Sequence, residues 1–490
     1  MQAAQIPMHV SPWPTLLKFD HQVPILNWTY PFTPYEPPMP DPFSIYKQIA
    51  SKPRRRALYL HVPFCDTICS FCPFTRGPFQ GTDELDLYVQ ALLREIEIKH
   101  RHPTIHSTPV DCIFFGGGTP SVLRAEHFYQ LGEALHRSFD LSRLKEFTIE
   151  CEVKSVTLEK LKAFEQIGVN RVSFGVQTFN SLYRELFTMT ATVDQIRRVA
   201  DWVNERFPLT GVDLIYGMAG QTLDDFVTDI DLIKELGTRT IDFYPLNNCS
   251  SQLRLHQAFA KHGLKPLSAN TKLSYRMFLN EYMRAQGYVP HNGHSFTRNI
   301  APADHPRVVV QRNGATFLYH DLFNGYAEDF IDGYGASAAS FFGSQLVYNV
   351  KSRKQYMDRL LGGEERAWFH AYNGVKVAGK GIVAFPYRGV LEKANIDWNN
   401  VDPETRAAFE ESVVQGLAAD RGTSYEITET GWLMYVNYMY ALMPRQDQRR
   451  YTKAVIRYLS DGRPIEEMAF FPTRSKRASI PIRVGATELR

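Results

Sequence analysis

From Ala57 onward the chain alternates short apolar runs with longer amphipathic ones, the pattern of successive strand–helix units that build a parallel sheet. The apolar runs predict strands at 57–62, 110–115, 147–151, 171–176, 211–216 and 240–246. Between them, helical periodicity predicts helices at 85–100, 124–138, 157–167, 193–206 and 222–236, each closing near a polar or glycine-containing connection. Six such units imply an α/β fold, a partial (β/α)6 barrel that is an open relative of the eight-unit TIM-like version. Its functional rim is expected at the carboxyl ends of the strands, where the loops converge. A helix at 271–286 and runs at 308–319 and 339–349 are expected to extend the open side of the barrel. Beyond about residue 370 a second unit begins near Gly381, where a helix through Phe409 to Gly416, a short turn, a break at Thr428-Glu-Thr-Gly431 and an apolar helix make a small, mostly helical C-terminal domain the expectation. The division expected is a proline- and aromatic-rich arm at 1–52, a barrel core at 53–265, an extension holding the substrate region at 266–369, the C-terminal domain at 370–445 and a basic tail at 446–490.

Composition narrows the partners. With 490 residues and 44% apolar composition the chain can bury more than one core. A net charge of +3 gives no electrostatic argument for nucleic acid or membrane binding, and the basic tail reads as a solvated surface. No run of eighteen apolar residues occurs, and the start lacks a basic-then-apolar leader. A cytoplasmic protein is expected, with its six cysteines kept reduced.

Three of those cysteines carry the chemistry. They stand in Tyr59-Leu-His-Val-Pro-Phe-Cys65-Asp-Thr-Ile-Cys69-Ser-Phe-Cys72, directly after the first predicted strand. Thiolates suit iron–sulfur clusters or zinc, and three on one loop can cap three corners of a [4Fe–4S] cube while leaving one iron open. Cys112, Cys151 and Cys249 are scattered in apolar or loop sequence, so none completes the set. Zinc would want a fourth ligand, and His61, which is near enough in sequence, falls in strand sequence.

The CxxxCxxC spacing with Phe71 before the last cysteine resembles the radical S-adenosylmethionine (SAM) superfamily. Tyr59-x-His61-x-Pro-Phe-Cys65 is similar to its oxygen-independent coproporphyrinogen III dehydrogenase branch. The resemblance implies that SAM chelates the open iron and is cleaved by one electron to a 5′-deoxyadenosyl radical, the protein's part being to position, exclude and aim. It implies that Gly116-Gly117-Gly118-Thr119 contacts the SAM amino group, that Glu150 accepts from the ribose hydroxyls, and that Tyr59, Phe71, Gln177, Asp213 and Ile215 lie near the cofactor. His61 and Tyr59 would serve catalysis, His61 as a proton relay. Gly335 and Ser337, in the glycine/serine segment from Gly333 to Gly343 with Asn349 beyond it, would approach a second SAM. Each motif also has a plain reading: a tight glycine turn, a rim carboxylate meeting a lysine, a satisfied strand end, a buried structural histidine.

Two departures stand out. Where the family has an arginine on the SAM carboxylate this chain has Met189-Thr190, with Arg184 the nearby replacement, and Phe74 stands where the dehydrogenases carry one more cysteine. Three activities therefore compete. A methyltransferase would use two SAM molecules to methylate or cyclopropanate an sp² carbon of a tetrapyrrole or natural product. A coproporphyrinogen dehydrogenase would need basic side chains for four carboxylates, with Arg298 and Arg312 as candidates. A haem carrier would need an axial ligand such as His291 or His294. The enzyme readings imply a small-molecule substrate and a flavodoxin- or ferredoxin-type electron donor; the methyl-transfer reading is the one favoured.

Overall fold

The computed structural model describes residues 53–72, 76–246, 252–298, 317–365, 368–372 and 378–451, with Tyr30 and two short strands near the C-terminus. The rest of the arm at 1–52, Phe74, Cys249, Arg312, the 308–316 part of one expected run and nearly all of the tail lie outside the described residues.

A twelve-stranded sheet organises the chain. Its first six strands are β1 (Arg55–Val62), β2 (Cys112–Gly117), β3 (Glu146–Cys151), β4 (Arg171–Gln177), β5 (Leu209–Tyr216) and β6 (Thr240–Pro245). They are parallel and adjacent in chain order. The helices between them start on side-chain caps where the sequence supplies one: Thr192 with Gln195 and Thr222 with Asp225 form capping boxes, and Thr157 caps Leu158–Ile167, which Gly168 ends at φ 92°. Alternation within each strand then separates two environments. Leu58, Ile113, Ile149, Val172, Val212 and Ile241 face the helices in one continuous core. The alternate positions, among them Tyr59, His61, Glu150, Arg171, Asp213 and Asp242, line the barrel interior.

The barrel has one parallel strand more than the apolar pattern predicts. Strand β9 (Asp329–Tyr334) pairs parallel with β1 on the side away from β2, making seven. Asp332 and Gly333 interrupt the apolar run that would have announced it. Between β6 and β9 come the short antiparallel β7 (Tyr288–Pro290) and β8 (Ser295–Arg298), which close one edge. At the other edge the 339–349 run folds as a hairpin, β10 (Ala339–Phe342) and β11 (Gln345–Asn349), followed by β12 (Trp368–Tyr372). The expected helix at 271–286 is Ala269–Ala285, and the described end of the 308–319 run begins the helix Leu318–Phe323.

The C-terminal region is mostly helical, with Lys380–Arg388, Pro403–Val414, Glu429–Leu433 and Tyr435–Leu442 around a second buried cluster. It also contains a three-stranded antiparallel sheet, which the polar sequence of Ser424–Ile427 conceals. Among the described residues no helix is long and apolar enough to cross a membrane.

Candidate active site

The loop leaving β1 carries the three cysteines and is held at both ends. Cys65 N–H donates to the Gly77 carbonyl at 3.1 Å, while Ser70 bonds the Phe187 and Leu186 carbonyls through its N–H at 3.2 Å and its hydroxyl at 2.7 Å. Thr188, itself at φ 59°, donates to the Ile68 carbonyl at 2.9 Å, and Arg76 to that of Cys69 at 3.2 Å. Phe71 packs on Phe187 with ring centres 4.8 Å apart and joins the apolar cluster that contains Ile215. The thiols face one another electrostatically: burial and then its two neighbours push Cys69 up to about 12, and burial and Cys72 raise Cys65, against the Thr119 hydroxyl 3.4 Å from its sulfur.

The glycines after β2 are a matter of space. A Cβ on Gly118 would lie 2.5 Å from the Phe64 carbonyl oxygen, and one on Gly117, at φ 113°, would lie 2.7 Å from the His61 ring. The backbone of this turn is thereby brought against the cysteine loop, where Thr119 N–H donates to the Phe64 carbonyl at 2.7 Å. Glu150, next to last in β3, lies beneath it and accepts from the Gly117 N–H; burial pushes its carboxyl up to about 7, with Arg171 and that N–H pulling the other way. Tyr59 and His61 share a 2.7 Å hydrogen bond between the hydroxyl and Nδ1. The Tyr59 ring stacks with Tyr319 at 5.5 Å and lies near Phe114 at 6.2 Å.

Gln177 closes β4 at φ 66°, next to a register shift against β5, a left-handed conformation that costs a non-glycine residue about 1–3 kcal/mol. Asp213 on β5 pairs in register with Asp242 on β6, so two interior carboxyls are neighbours; burial, then Asp242 and Glu150, push Asp213 well up. Gly335 and Ser337 follow β9, and Ser337 sits at φ 68°. Gly335 N–H donates to buried Glu95, and the Tyr88 hydroxyl accepts from Ala336 N–H while donating to the His61 carbonyl at 2.8 Å. The seventh strand thus brings the Gly335–Ser337 segment to the same rim as the cysteines.

Residues 59–233 match the Radical SAM superfamily. Anaerobilin synthase from Escherichia coli is 34% identical over 202 residues, which is 41% of this chain and 45% of that protein. Oxygen-independent coproporphyrinogen III oxidase from the same species is 28% identical over 319 residues, 64% of this chain and 67% of the relative. Heme chaperone HemW from Bacillus subtilis is 27% identical over 380 residues, 75% and 85% of the two chains. The solved structure of the Escherichia coli oxidase superposes with a TM-score of 0.67 at 21% identity, covering 83% of this chain and 96% of the other, a likeness of fold. The chain carries a radical SAM domain of the coproporphyrinogen oxidase-like branch. The match to the anaerobilin synthase spans under half of that relative's length.

A radical SAM domain implies a [4Fe–4S] cluster and SAM, and the donor set fits. Among the described residues no three His, Cys, Asp or Glu side chains gather around a single ion position. Three thiols on one loop, close enough to raise one another's proton affinity, suit a multi-iron cluster, whose metal charge would release those protons. The glycine rim offers backbone to a ligand, and Glu150 lies directly below it.

Other expectations meet a different outcome. Arg184 is spent on its own loop, donating to the carbonyls of Val176, Thr178 and Ala191, and so is not aimed at a ligand. Replacing it with methionine orphans buried carbonyls, with an expected loss of about 1–3 kcal/mol of stability and no loss of cluster iron; thermal melting and iron analysis check this. Arg298 lies on the opposite face from the rim, because β8 runs antiparallel to β6 and ends beside the start of that strand, where the side chain bonds Tyr288. His294 is 4% exposed, packs at a tilt against Tyr244 with ring centres 4.5 Å apart and has its ring nitrogens 3.1 Å from the Tyr435 hydroxyl, so it is taken up by the core rather than presented to a ligand. His291 borders the interior, and burial pushes it down to about 4. Arg171 and Asp242 were not singled out by motif; the inward phase of their strands is the signal that locates them.

Proposed function

We propose that this chain is a radical SAM methyltransferase that uses two SAM molecules to methylate or cyclopropanate an sp² carbon, with a tetrapyrrole as the favoured substrate. When bound, the cluster supplies the electron that splits the first sulfonium. The observation behind this reading is the charge of the chamber. Glu150, Asp213 and Asp242 line it, while Arg171 is enclosed and Arg298 stands on the far face. Among the described residues, a lining of carboxyls with its arginine enclosed offers a substrate with four carboxylates few partners.

In this reading Cys65, Cys69 and Cys72 hold the cluster, the Gly116–Gly118 carbonyls accept from the SAM ammonium, and Glu150 accepts from the ribose diol. Phe71 and Ile215 form the apolar wall, Gln177, Asp213 and Thr119 complete the polar contacts, and Gly335 and Ser337 border the second SAM. The hydrogen bond between the Tyr59 hydroxyl and His61 Nδ1 would serve as a proton path between the chamber and the glycine rim. The relatives named for anaerobilin, coproporphyrinogen III and heme support a tetrapyrrole substrate. A flavodoxin- or ferredoxin-type protein would supply electrons.

Product analysis separates the activities. Anaerobically reconstituted protein given SAM, reductant and a tetrapyrrole should yield 5′-deoxyadenosine and S-adenosylhomocysteine together. Carbon dioxide from coproporphyrinogen III without S-adenosylhomocysteine would replace this reading with the dehydrogenase, and release of neither nucleoside product would favour a carrier.

A further inference from the structure

Arg171 is the least expected charge in the barrel. It opens β4, is 1% exposed, and both of its terminal nitrogens are enclosed without a hydrogen-bond partner. Its guanidinium lies over the Phe317 ring at 3.7 Å, and a Cβ on Gly211 would come within 3.1 Å of it. Burying a guanidinium without a bonded anion is expensive, so the cation must be balanced through space. In register, Arg171 sits beside Thr148 while Glu150 sits beside Ser173, which places the arginine one inward position below the glutamate.

The titratable groups that feel this charge come from every side of the chamber: Glu150 on β3, Asp213 on β5, Asp242 on β6, Cys112 on β2, His291 before β8 and His320 on the helix Leu318–Phe323. Glu146, on the same inner face, is occupied by the Leu318 and Tyr319 N–H groups. Arg171 is therefore a buried cation shared by the groups of the chamber.

We propose that Arg171 is a positioning residue, a sealed cation whose field lets Glu150 carry the negative charge with which it grips a vicinal diol above it. The proposal rests on Glu150 being the SAM ribose contact. The sign follows from the groups present. Burial raises the Glu150 carboxyl to about 7 even with Arg171 opposing, so removing the cation moves it higher still. A protonated carboxyl accepts less well, and SAM affinity near neutrality then falls by about tenfold for each unit the carboxyl moves. His291 and His320, held at about 4 and about 3, rise toward the ordinary imidazole value but stay mostly neutral above pH 7.

The test measures SAM binding to the anaerobically reconstituted protein by equilibrium dialysis between pH 6 and 9. Wild type should gain affinity through about pH 7 and level off. Arg171→Met should need a higher pH to reach the same affinity, and Arg171→Lys should restore the wild-type profile. In Glu150→Gln, adding Arg171→Met should shift nothing further, which distinguishes an electrostatic role from a general loss of packing. An Arg171→Met profile identical to wild type, a loss equal at every pH, or a shift that persists without Glu150 would overturn the proposal. Wild-type protein that carries the cluster but binds no SAM would overturn the ribose assignment and this inference with it.

Discussion

Cys69→Ala should abolish the brown absorbance of reconstituted protein and lower 5′-deoxyadenosine formation by at least about a thousandfold. Cys69 lies in the middle of the loop, and the backbone bonds that hold this loop come from Ser70, Thr188, Arg76 and Cys72 rather than from its thiol. Loss of the sulfur thus removes a cluster ligand without removing a support. The melting temperature of the metal-free protein should stay within experimental error of wild type. Retention of colour or of deoxyadenosine formation by the variant would show that another group holds the cluster.

Gly117→Ala should be damaging for a different reason. An alanine at φ 113° is strained, and its Cβ would collide with the ring of His61, which is held by Tyr59 on one side and by the strand on the other. Strain and the displaced ring together are expected to cost about 2–4 kcal/mol, a lowering of the melting temperature by about 2–4 °C in a chain of this size. The same displacement withdraws the N–H that Glu150 accepts, so SAM binding should weaken more than stability alone explains. Thermal melting alongside equilibrium dialysis separates the two effects. A variant with wild-type melting and binding would mean that the turn has slack which its close contacts do not suggest.

The core of this fold was legible because each of its first six strands carries an apolar run packed under the covering helices, and these runs fall within about two residues of the observed strands. The cysteine loop was legible because spacing on one loop survives folding unchanged. Other parts depend on partners distant in sequence. Strand β9 carries Asp332 in the strand itself because Arg56 on β1 and Lys99 on the first long helix neutralise it there, a match no local window contains. Arg184 looked like a spare cation until folding surrounded it with three carbonyls of its own loop. Arg298 lay near the barrel in sequence and ended on the wrong face once β8 turned antiparallel. Arg171 and Asp242 look like ordinary strand residues, and only the closure of the barrel makes them neighbours of Glu150 and Asp213.

Mössbauer spectroscopy of protein reconstituted with ⁵⁷Fe under anaerobic conditions, before and after adding SAM, addresses the central assignment most directly. The account predicts a [4Fe–4S] spectrum in which one iron of the four changes its signal when SAM arrives, the site that Cys65, Cys69 and Cys72 leave open. Protein that binds zinc alone, or a cubane in which all four irons ignore SAM, would contradict it.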